Sequence, residues 1–520
     1  MAGRAGRRGA TALAAAILLL APTGCGDDDP AEDSGTPTTT VPVGPTVTGD
    51  GVVATRTWVG PEAIPDDLVA VDETVIALAS SVPGRADLLL RSTDGGATWD
   101  EPAVAFADEV PTDSNDWIIA PIAPRLLATD GLVVAVRPSD PRGGPRLHHD
   151  LLASTDVGST WTPLDLPVAD GRSALVTGVA ASDGVLLVVG MVQDDAGSGV
   201  GGGYGEHGSN AAADHLDAYD AAAWTSTDGG ATFTPATGLG AGAPGLQAMR
   251  RVLWAGDRFV ALGVDSGGLP QMGFPSVGPV SWTSPDGRTW SPLAAPDPGG
   301  LWTPGGSVDA PWIATDDGGV AIGPPGAQTT LAPGATAWTA SAAAGEVVRY
   351  PAGLLPLSDG SAVATLVQDS ACDCEVAHAG LVGEGTRLWD VPELLFDDCE
   401  DTSIRGQTGV AEPYAVGDAV VALAWCNDRG RPVAAVASSI DGGAQWSTAR
   451  LTDLAPDGAG DVGVPQRPLG NRYAVSVGDR MVVLLMVAPR RPDDADRGDE
   501  VGSVRPRPGL LVAATVAAAA

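Results

Sequence analysis

The stretch Ser92-Thr93-Asp94-Gly95-Gly96-Ala97-Thr98-Trp99 occurs in recognisable form five times in this chain. The other copies begin at Ser154, Ser226, Ser284 and Ser439, and the copy at Ser284 is one residue shorter. The shared pattern is Ser-x-Asp-x-Gly-x-Thr-Trp, which we call the Ser-x-Asp motif. Short Ser and Asp side chains bond nearby backbone groups in tight turns, and glycine supplies a positive φ. The pattern therefore predicts a recurrent turn whose final aromatic residue packs against a sheet.

Because each position of the motif has a structural task, we expect its aspartates to be structural rather than catalytic. The residues concerned are Asp94, Trp99, Asp156, Trp161, Asp228, Phe233, Asp286, Trp290, Asp441 and Trp446.

A second repeat consists of a short strand, an Asp/Gly turn and a strongly apolar strand. It occurs eight times, with turns at Asp72, Asp130, Asp183, Asp257, Asp317, Asp359, Asp418 and Asp479. The Ser-x-Asp motifs fall between these hairpins. A period of about 40 to 60 residues with two hairpins per unit predicts an all-β chain, a β-propeller of four-stranded blades. We count eight blades, with seven as the alternative.

The two ends of the chain are predicted to meet in one blade. Val52 to Trp58 would supply the outer strand that the last hairpin lacks, beside Leu510 to Val516. This pairing would close the ring and leave no open edge between the first and last blades. At the two positions where a motif is missing, Trp338 and Trp389 mark decayed copies.

The N-terminus is predicted to be a targeting segment. Three arginines precede an apolar run, residues 10–21, which is too short to span a bilayer comfortably. The run ends in Pro-Thr-Gly followed by Cys25, which resembles a bacterial lipoprotein signal, although Pro22 departs from the usual aliphatic residue. We expect residues 1–24 to be the signal peptide, 25–50 an acidic, Pro/Thr-rich tether, and 51–520 the propeller. The alternative is an ordinary cleaved signal with an incidental cysteine.

Acylation of Cys25, with fatty acids such as palmitate, would anchor the protein to the outer face of the bacterial cell membrane. The formal net charge is −36, and all 29 basic residues are arginines. Such a chain repels nucleic acid, which we exclude as a partner. The acidity indicates either solubility or affinity for cations and basic partners, and no motif indicates a cofactor or a metal.

Four further cysteines, Cys372, Cys374, Cys399 and Cys426, would lie in an oxidising compartment after export. Disulfides among them are therefore expected. A metal site is the alternative, but the Cys-x-Cys pair lacks the usual zinc spacing.

The Ser-x-Asp motif resembles the Asp-box, or BNR repeat, of the sialidase-like superfamily. That resemblance implies a propeller fold, but it does not specify a reaction. Sialidases carry an Arg-Ile-Pro motif, and the nearest match here is Ala63-Ile64-Pro65, which lacks the arginine. A glycan-active hydrolase of another kind would need only two well-placed acids across a cleft, and the chain has 65 acidic residues.

The long connections are predicted to emerge on the face opposite the Ser-x-Asp motifs. Variable loops on a rigid scaffold are where binding usually occurs, although surface loops also accept insertions at low cost. The candidate binding residues in these loops are Arg142, His148, Tyr204, Phe274 and Arg490. The sequence therefore predicts a membrane-anchored module that binds a protein or a glycan. The alternatives are a glycan-active hydrolase and a structural spacer.

Overall fold

The computed structural model describes the parts of the chain that form its sheets and their tight turns. These are residues 46–49, 51–81, 87–101, 103–106, 124–139, 148–169, 171–182, 184–194, 219–239, 247–265, 270–271, 274–275, 278–293, 312–314, 318–322, 329–340, 351–356, 362–369, 375–382, 387–390, 408–410, 413–428, 431–443, 445–456, 461–463, 472–488 and 509–519.

The described residues are almost entirely β, in antiparallel sheets whose strands mostly follow chain order. The predictions of an all-β chain and of four-stranded antiparallel sheets are confirmed. Sheet 1 has nine strands and joins both ends of the chain: β1 Thr46–Gly49, β2 Val52–Val71, β3 Thr74–Ser81, β4 Asp87–Ser92, β5 Ala103–Phe106, β33 Asp461–Gly463, β34 Ala474–Val477, β35 Arg480–Ala488 and β36 Gly509–Ala518.

Six further sheets have four or five strands each. Sheet 2 comprises β6 Arg125–Thr129, β7 Leu132–Ser139, β8 His148–Ser154 and β9 Thr162–Pro163. Sheet 3 comprises β10 Arg172–Ser182, β11 Val185–Asp194, β12 Tyr219–Ser226 and β13 Thr234–Pro235. Sheet 4 comprises β14 Gln247–Trp254, β15 Phe259–Asp265, β18 Gly278–Ser284 and β19 Ser291–Leu293, with the separate pair β16 Pro270–Gln271 and β17 Phe274–Pro275 between them.

The remaining sheets follow the same plan. Sheet 5 comprises β20 Trp312–Ala314, β21 Val320–Ile322, β22 Thr329–Leu331 and β23 Thr339–Ala340. Sheet 6 comprises β24 Pro351–Pro356, β25 Ala362–Asp369, β26 Glu375–Val382 and β27 Arg387–Asp390. Sheet 7 comprises β28 Thr408–Val410, β29 Tyr414–Val416, β30 Ala419–Asp428, β31 Arg431–Ser439 and β32 Ser447–Arg450, followed by the short 3-10 helix Thr452–Leu454.

All eight predicted hairpins are present as antiparallel strand pairs. Each of the five Ser-x-Asp motifs follows the third strand of its unit and leads into the fourth. Because neighbouring strands are antiparallel, the hairpin turns and the motifs emerge at one end of every sheet, which we call the turn end. The connections between second and third strands, and those between sheets, emerge at the other end, which we call the loop end.

The 20-residue strand β2 belongs to two four-stranded units at once. Its first half pairs with β36, from Val52 opposite Ala518 to Val59 opposite Val512, and its second half pairs with β3. The sequence predicted two separate strands here. It also placed residues 46–49 in a tether, whereas they form β1 and pair with Val52–Thr55 because the alternating apolar pattern continues upstream of the turn at Gly51.

The hydrophobic core lies between neighbouring sheets rather than within one central layer. One cluster joins Leu68 and Leu90 of the N-terminal part of sheet 1 to Leu484 and Leu511 of its C-terminal part. Comparable clusters lie between sheets 1 and 2, 2 and 3, 3 and 4, 4 and 5, and between sheet 7 and the C-terminal part of sheet 1. The apolar strands predicted from sequence are therefore covered on both faces.

A β-bulge recurs in the first strand of four units. The register shifts at Asp66 in β2, at Thr177 in β10, at Arg250 in β14 and at Ala352 in β24. In β11 and β15 the facing residue is glycine, and a Cβ at Gly190 or Gly263 would collide with the backbone carbonyl of Leu175 or Ala248. The bulge therefore requires glycine at these two positions.

We expect Leu511→Ala to lower the free energy of unfolding by about 2–5 kcal/mol, because it empties a fully buried site between the two parts of sheet 1. Urea unfolding followed by tryptophan fluorescence measures this loss. The matched control is Ile440→Ala, whose side chain is 64% exposed and whose removal should cost little. Equal stability of the two variants would contradict the packing of β36 against the first hairpin.

Candidate functional site

The five Ser-x-Asp motifs share one set of hydrogen bonds. In the first, the Ser92 hydroxyl donates to Asp94 Oδ1 (2.9 Å) and accepts from the Gly96 amide (2.8 Å). The Thr98 amide and hydroxyl then donate to the two oxygens of Asp94, at 2.8 and 2.6 Å. Three of these bonds recur in the motifs at Asp156, Asp228 and Asp441 with distances of 2.7–3.0 Å.

The shorter motif at Asp286 reaches the same result differently. Its carboxylate accepts from the amides of both Arg288 and Thr289, each at 2.9 Å. The indole N–H groups of Trp99, Trp290 and Trp446 donate to a glycine carbonyl of their own turn, at 3.0–3.2 Å. Trp290 and Phe233 are buried, and the other final tryptophans are partly buried.

These bonds hold the motif aspartates ionised. The Thr160 amide, the Thr160 hydroxyl and the Ser154 hydroxyl lower the pKa of Asp156 to about 2. The Thr232 hydroxyl and amide lower that of Asp228 equally, to about 2. Burial opposes the shift at Asp94, but the hydrogen bonds from Thr98 and Ser92 still lower its pKa. A carboxylate that already accepts several bonds at so low a pKa is a poor general acid or base near neutral pH.

We expect Asp94→Ala to lower the free energy of unfolding by about 1–3 kcal/mol, because the Thr98 amide and hydroxyl lose a charged acceptor. The shift of the urea midpoint measures it. Asp100→Ala is the control in the same turn, since Asp100 is 63% exposed and forms only a 3.6 Å ion pair with Arg91. A smaller loss for Asp94→Ala than for Asp100→Ala would rule out the fastening role.

At the loop end, most residues singled out from the sequence lie outside the described residues. This applies to Arg142, Tyr204 and Arg490, and equally to Cys25, Cys372, Cys374 and Cys399. Three others are described by their backbone only. His148 pairs with Ser139 in β8, Phe274 pairs with Gln271 in β17, and Cys426 lies in β30 between Thr408 and Val433.

The loop end instead contains a buried carboxylate that sequence reasoning missed. Asp67 is 2% exposed and accepts from the amides of Leu68 (2.9 Å), Leu126 (2.7 Å) and Arg472 (2.9 Å). The Arg472 guanidinium approaches Asp67 at 3.5 Å and donates to the Leu126 carbonyl at 2.8 Å. One side chain thus joins the first strand of sheet 2 to both parts of sheet 1. We call this arrangement the Asp67 latch.

Similar polar contacts continue from sheet to sheet. Arg125 donates to the Val176 carbonyl (2.6 Å), and the Val176 amide donates to His149 Nδ1 (3.0 Å). The Thr177 hydroxyl, at the bulge of β10, donates to the Met249 carbonyl of β14 (2.6 Å). The loop ends of the first strands in sheets 1 to 4 are therefore fixed to one another.

A second cluster lies between sheets 1 and 2. Arg137 bonds Asp150 at 2.6 Å and approaches Asp87 at 3.9 Å, and its guanidinium carbon lies 4.6 Å from the centre of the Phe106 ring. The side chains of Arg137 and Asp87 are 7% and 8% exposed, whereas that of Asp150 is 43% exposed. We call these residues the Asp87 cluster. It reaches solvent through Asp150.

Burial raises the pKa of Asp87 to about 6, against the opposing effects of Arg137 and a hydrogen bond from Ser80, while Asp150 adds to the rise. A carboxyl group that titrates near pH 6 can exchange a proton under mild conditions, as a general acid does. In this cluster, however, a guanidinium lies between the two carboxylates and bonds Asp150. The arrangement is that of a buried ion pair with one easily protonated member.

The pKa of Asp87 predicts a pH dependence. The folded protein binds this proton more tightly than the unfolded chain, so the contribution to stability is complete below pH 4 and is lost as the pH rises through about 6. The loss amounts to about 3 kcal/mol for a shift of about two pKa units. Asp87→Asn should remove this part of the decline between pH 4 and 7, as measured by urea unfolding at both values.

The control is Asp479→Asn, because Asp479 is 84% exposed. It should leave the difference between pH 4 and 7 as in the parent protein. A parallel decline in the parent protein and in Asp87→Asn would contradict the burial of an ionisable Asp87.

The residues tested for sialidase chemistry lie in the framework. Ala63 and Ile64 are buried in β2. Tyr473 is also buried, and the Tyr414 hydroxyl donates to the Ala474 carbonyl at 2.7 Å. Among the described side chains no group of three or more His, Cys, Asp or Glu residues is arranged to hold a metal ion. The helices within the described ranges include none long and apolar enough to cross a bilayer.

No protein-family model and no curated protein matches this chain. Three solved structures are similar to it. YCF48 bound to D1 peptide is 14% identical over 78% of this chain and 96% of that chain, with a TM-score of 0.35. An α-L-arabinofuranosidase of Fusarium graminearum with an iminosugar inhibitor is 16% identical over 63% and 98%, at 0.31. An ulvan lyase of polysaccharide lyase family PL25 is 10% identical over 85% and 96%, at 0.40. At these values the likeness extends to no activity.

Proposed function

We propose that this chain is an exported lipoprotein, anchored through Cys25 to the outer face of the cell membrane, and that it binds a protein or a glycan. Its sheets would form a closed β-propeller of eight blades, of the Asp-box type found in the sialidase-like superfamily. The pairing of β2 with β36 supports closure of the ring. Sheets 2 to 7, together with the two parts of sheet 1, support the count of eight.

The observation that carries a binding role is the difference between the two ends of the sheets. At the turn end, the five motifs form short turns whose polar groups bond one another. At the loop end, the second-to-third strand connections span 140–147, 195–218 and 489–508 in sheet 2, sheet 3 and the C-terminal part of sheet 1. The contacts between sheets 1 to 4 beneath them provide a rigid base. Variable connections on a fixed base are typical of a recognition surface.

The binding role predicts a separation of effects. Alanine at Arg142, Tyr204 and Arg490 together should weaken binding of the full chain to its ligand by at least about tenfold, the equivalent of one charged hydrogen bond. A glycan array and crosslinking to envelope proteins identify that ligand. Asp156→Ala, at the turn end, is the control and should bind as the parent does. Equal losses in the two variants would overturn the assignment of the loop end.

Anchoring is tested separately. Cys25→Ser should shift the protein from the membrane fraction to the soluble extracytoplasmic fraction, because acyl chains hold it at the bilayer. Retention of the variant in the membrane would contradict lipidation at Cys25.

The Asp87 cluster favours one second candidate, a glycan-active hydrolase. Asp87, with its pKa near 6, would be the acid and Asp150 its partner. Asp87→Asn and Asp150→Asn should then each reduce the release of reducing sugar from a susceptible polysaccharide by about 10²-fold or more. Unchanged hydrolysis in both variants would exclude this cluster as the catalytic pair.

A further inference from the structure

A groove of about 670 Å³ runs along the outer edge of sheet 3. Its floor is formed by Asp220–Trp224 of β12, one wall by Pro167–Ala169, which connects sheets 2 and 3, and the other wall by Pro235–Leu239. The volume lies within the range of about 300–1,000 Å³ that is usual for ligand pockets. None of these residues belongs to the Asp87 cluster or to a Ser-x-Asp motif.

The groove exists because the outer strand leaves the sheet early. β13 has two residues and pairs only with Trp224 and Thr225. The next residue, Ala236, still donates to the Ala223 carbonyl at 2.8 Å. The chain then crosses to sheet 4, where the Thr237 amide donates to Arg288 (2.8 Å) and the Trp290 amide donates to Thr237 (2.9 Å).

This departure exposes a strand edge to the groove. Alternate residues of an antiparallel strand direct both main-chain groups to the same side. Since Ala223 and its ladder neighbour Thr225 face β13, Ala221 directs its N–H and C=O into the groove. No strand or turn among the described residues bonds these two groups of Ala221, although the residue is only 4% exposed. A buried main-chain pair of this kind favours a partner that supplies hydrogen bonds.

The walls determine which side chains such a partner can carry. Pro167, Val168 and Leu239 present apolar groups, and the Trp224 indole fixes one wall by donating to the Pro167 carbonyl at 3.0 Å. The ion pair between Arg172 and Asp220 (2.7 Å) lies at the loop end of the groove. The net charge of −36 favours a neutral or basic partner over an acidic one.

We propose that this groove binds an extended segment of a partner protein, which adds a strand to the outer edge of β12 over about four or five residues. The segment is neutral or basic, carries small or apolar side chains, and hydrogen-bonds Ala221 through its main chain. Strand addition gives affinity through main-chain bonds and specificity through the pockets for alternate side chains. The groove is separate from the loop end, so the proposal does not depend on the ligand bound there.

The first test is hydrogen exchange of single amides in the full-length protein. The Ala221 amide should exchange faster than that of Ala222, which belongs to the ladder with β11. A library of capped hexapeptides built from Ala, Val, Thr, Leu and Arg serves as the probe. A bound peptide should slow exchange at Ala221 by about tenfold or more, the value of one hydrogen bond. The same peptides with N-methylated backbones should not do so.

Two variants test the site from different directions. Ala221→Pro removes the N–H that faces the groove while leaving the ladder with β11 intact, as proline does at sheet edges. Ala169→Trp adds bulk at an exposed wall residue, with Ala169→Ser as its matched control. Both Ala221→Pro and Ala169→Trp should lower peptide affinity by about tenfold or more, whereas Ala169→Ser should not.

Three outcomes would overturn the proposal. The first is an Ala221 amide that is already as protected as Ala222 in the free protein. The second is peptide binding that survives both variants. The third is a concentration-dependent dimer that Ala221→Pro abolishes, since a second copy would then be the occupant. Loss of loop-end binding in the Arg142, Tyr204 and Arg490 variant would leave all of these measurements unchanged.

Discussion

The carboxylate of Asp67 is the contact on which the arrangement of the sheets depends most directly. It accepts amide bonds from Leu68, Leu126 and Arg472, groups that belong to the beginning of the chain, to the next sheet and to the last hairpin. A buried carboxylate is tolerated only when such donors surround it. Replacing it would leave three buried amides without their acceptor, so the side chain enforces one relative position of the three strands.

The turn end and the loop end solve opposite problems with the same residue types. Aspartates at the turn end bond within a few residues of themselves, so each turn forms independently of its neighbours. Aspartates at the loop end, such as Asp67 and Asp87, bond groups from other sheets. Local bonds hold the individual turns, while long-range bonds set the register between sheets, and only the latter depend on the whole chain having folded.

This division also explains what sequence reasoning could predict. The hairpins and the Ser-x-Asp turns follow from spacing and from residues that act over four or five positions, and they were predicted correctly. The partners of Asp67, Asp87 and Thr177 lie in other sheets, and nothing in their immediate surroundings distinguishes them from surface residues. A signal was present in Gly190 and Gly263, glycines within apolar strands, which indicate a close backbone approach. The length of β2 was missed because Gly60 and Pro61 interrupt its apolar pattern.

The shared strand β2 has a consequence for the order of folding. During synthesis its second half can pair with β3 as soon as the first hairpin exists, but its first half must wait for β36, which is made last. Until then Val52–Val59 is an open edge on an otherwise completed unit, available to other chains. Contacts between such distant residues form slowly. A nascent or truncated chain therefore remains prone to aggregation until the final ten-residue strand arrives.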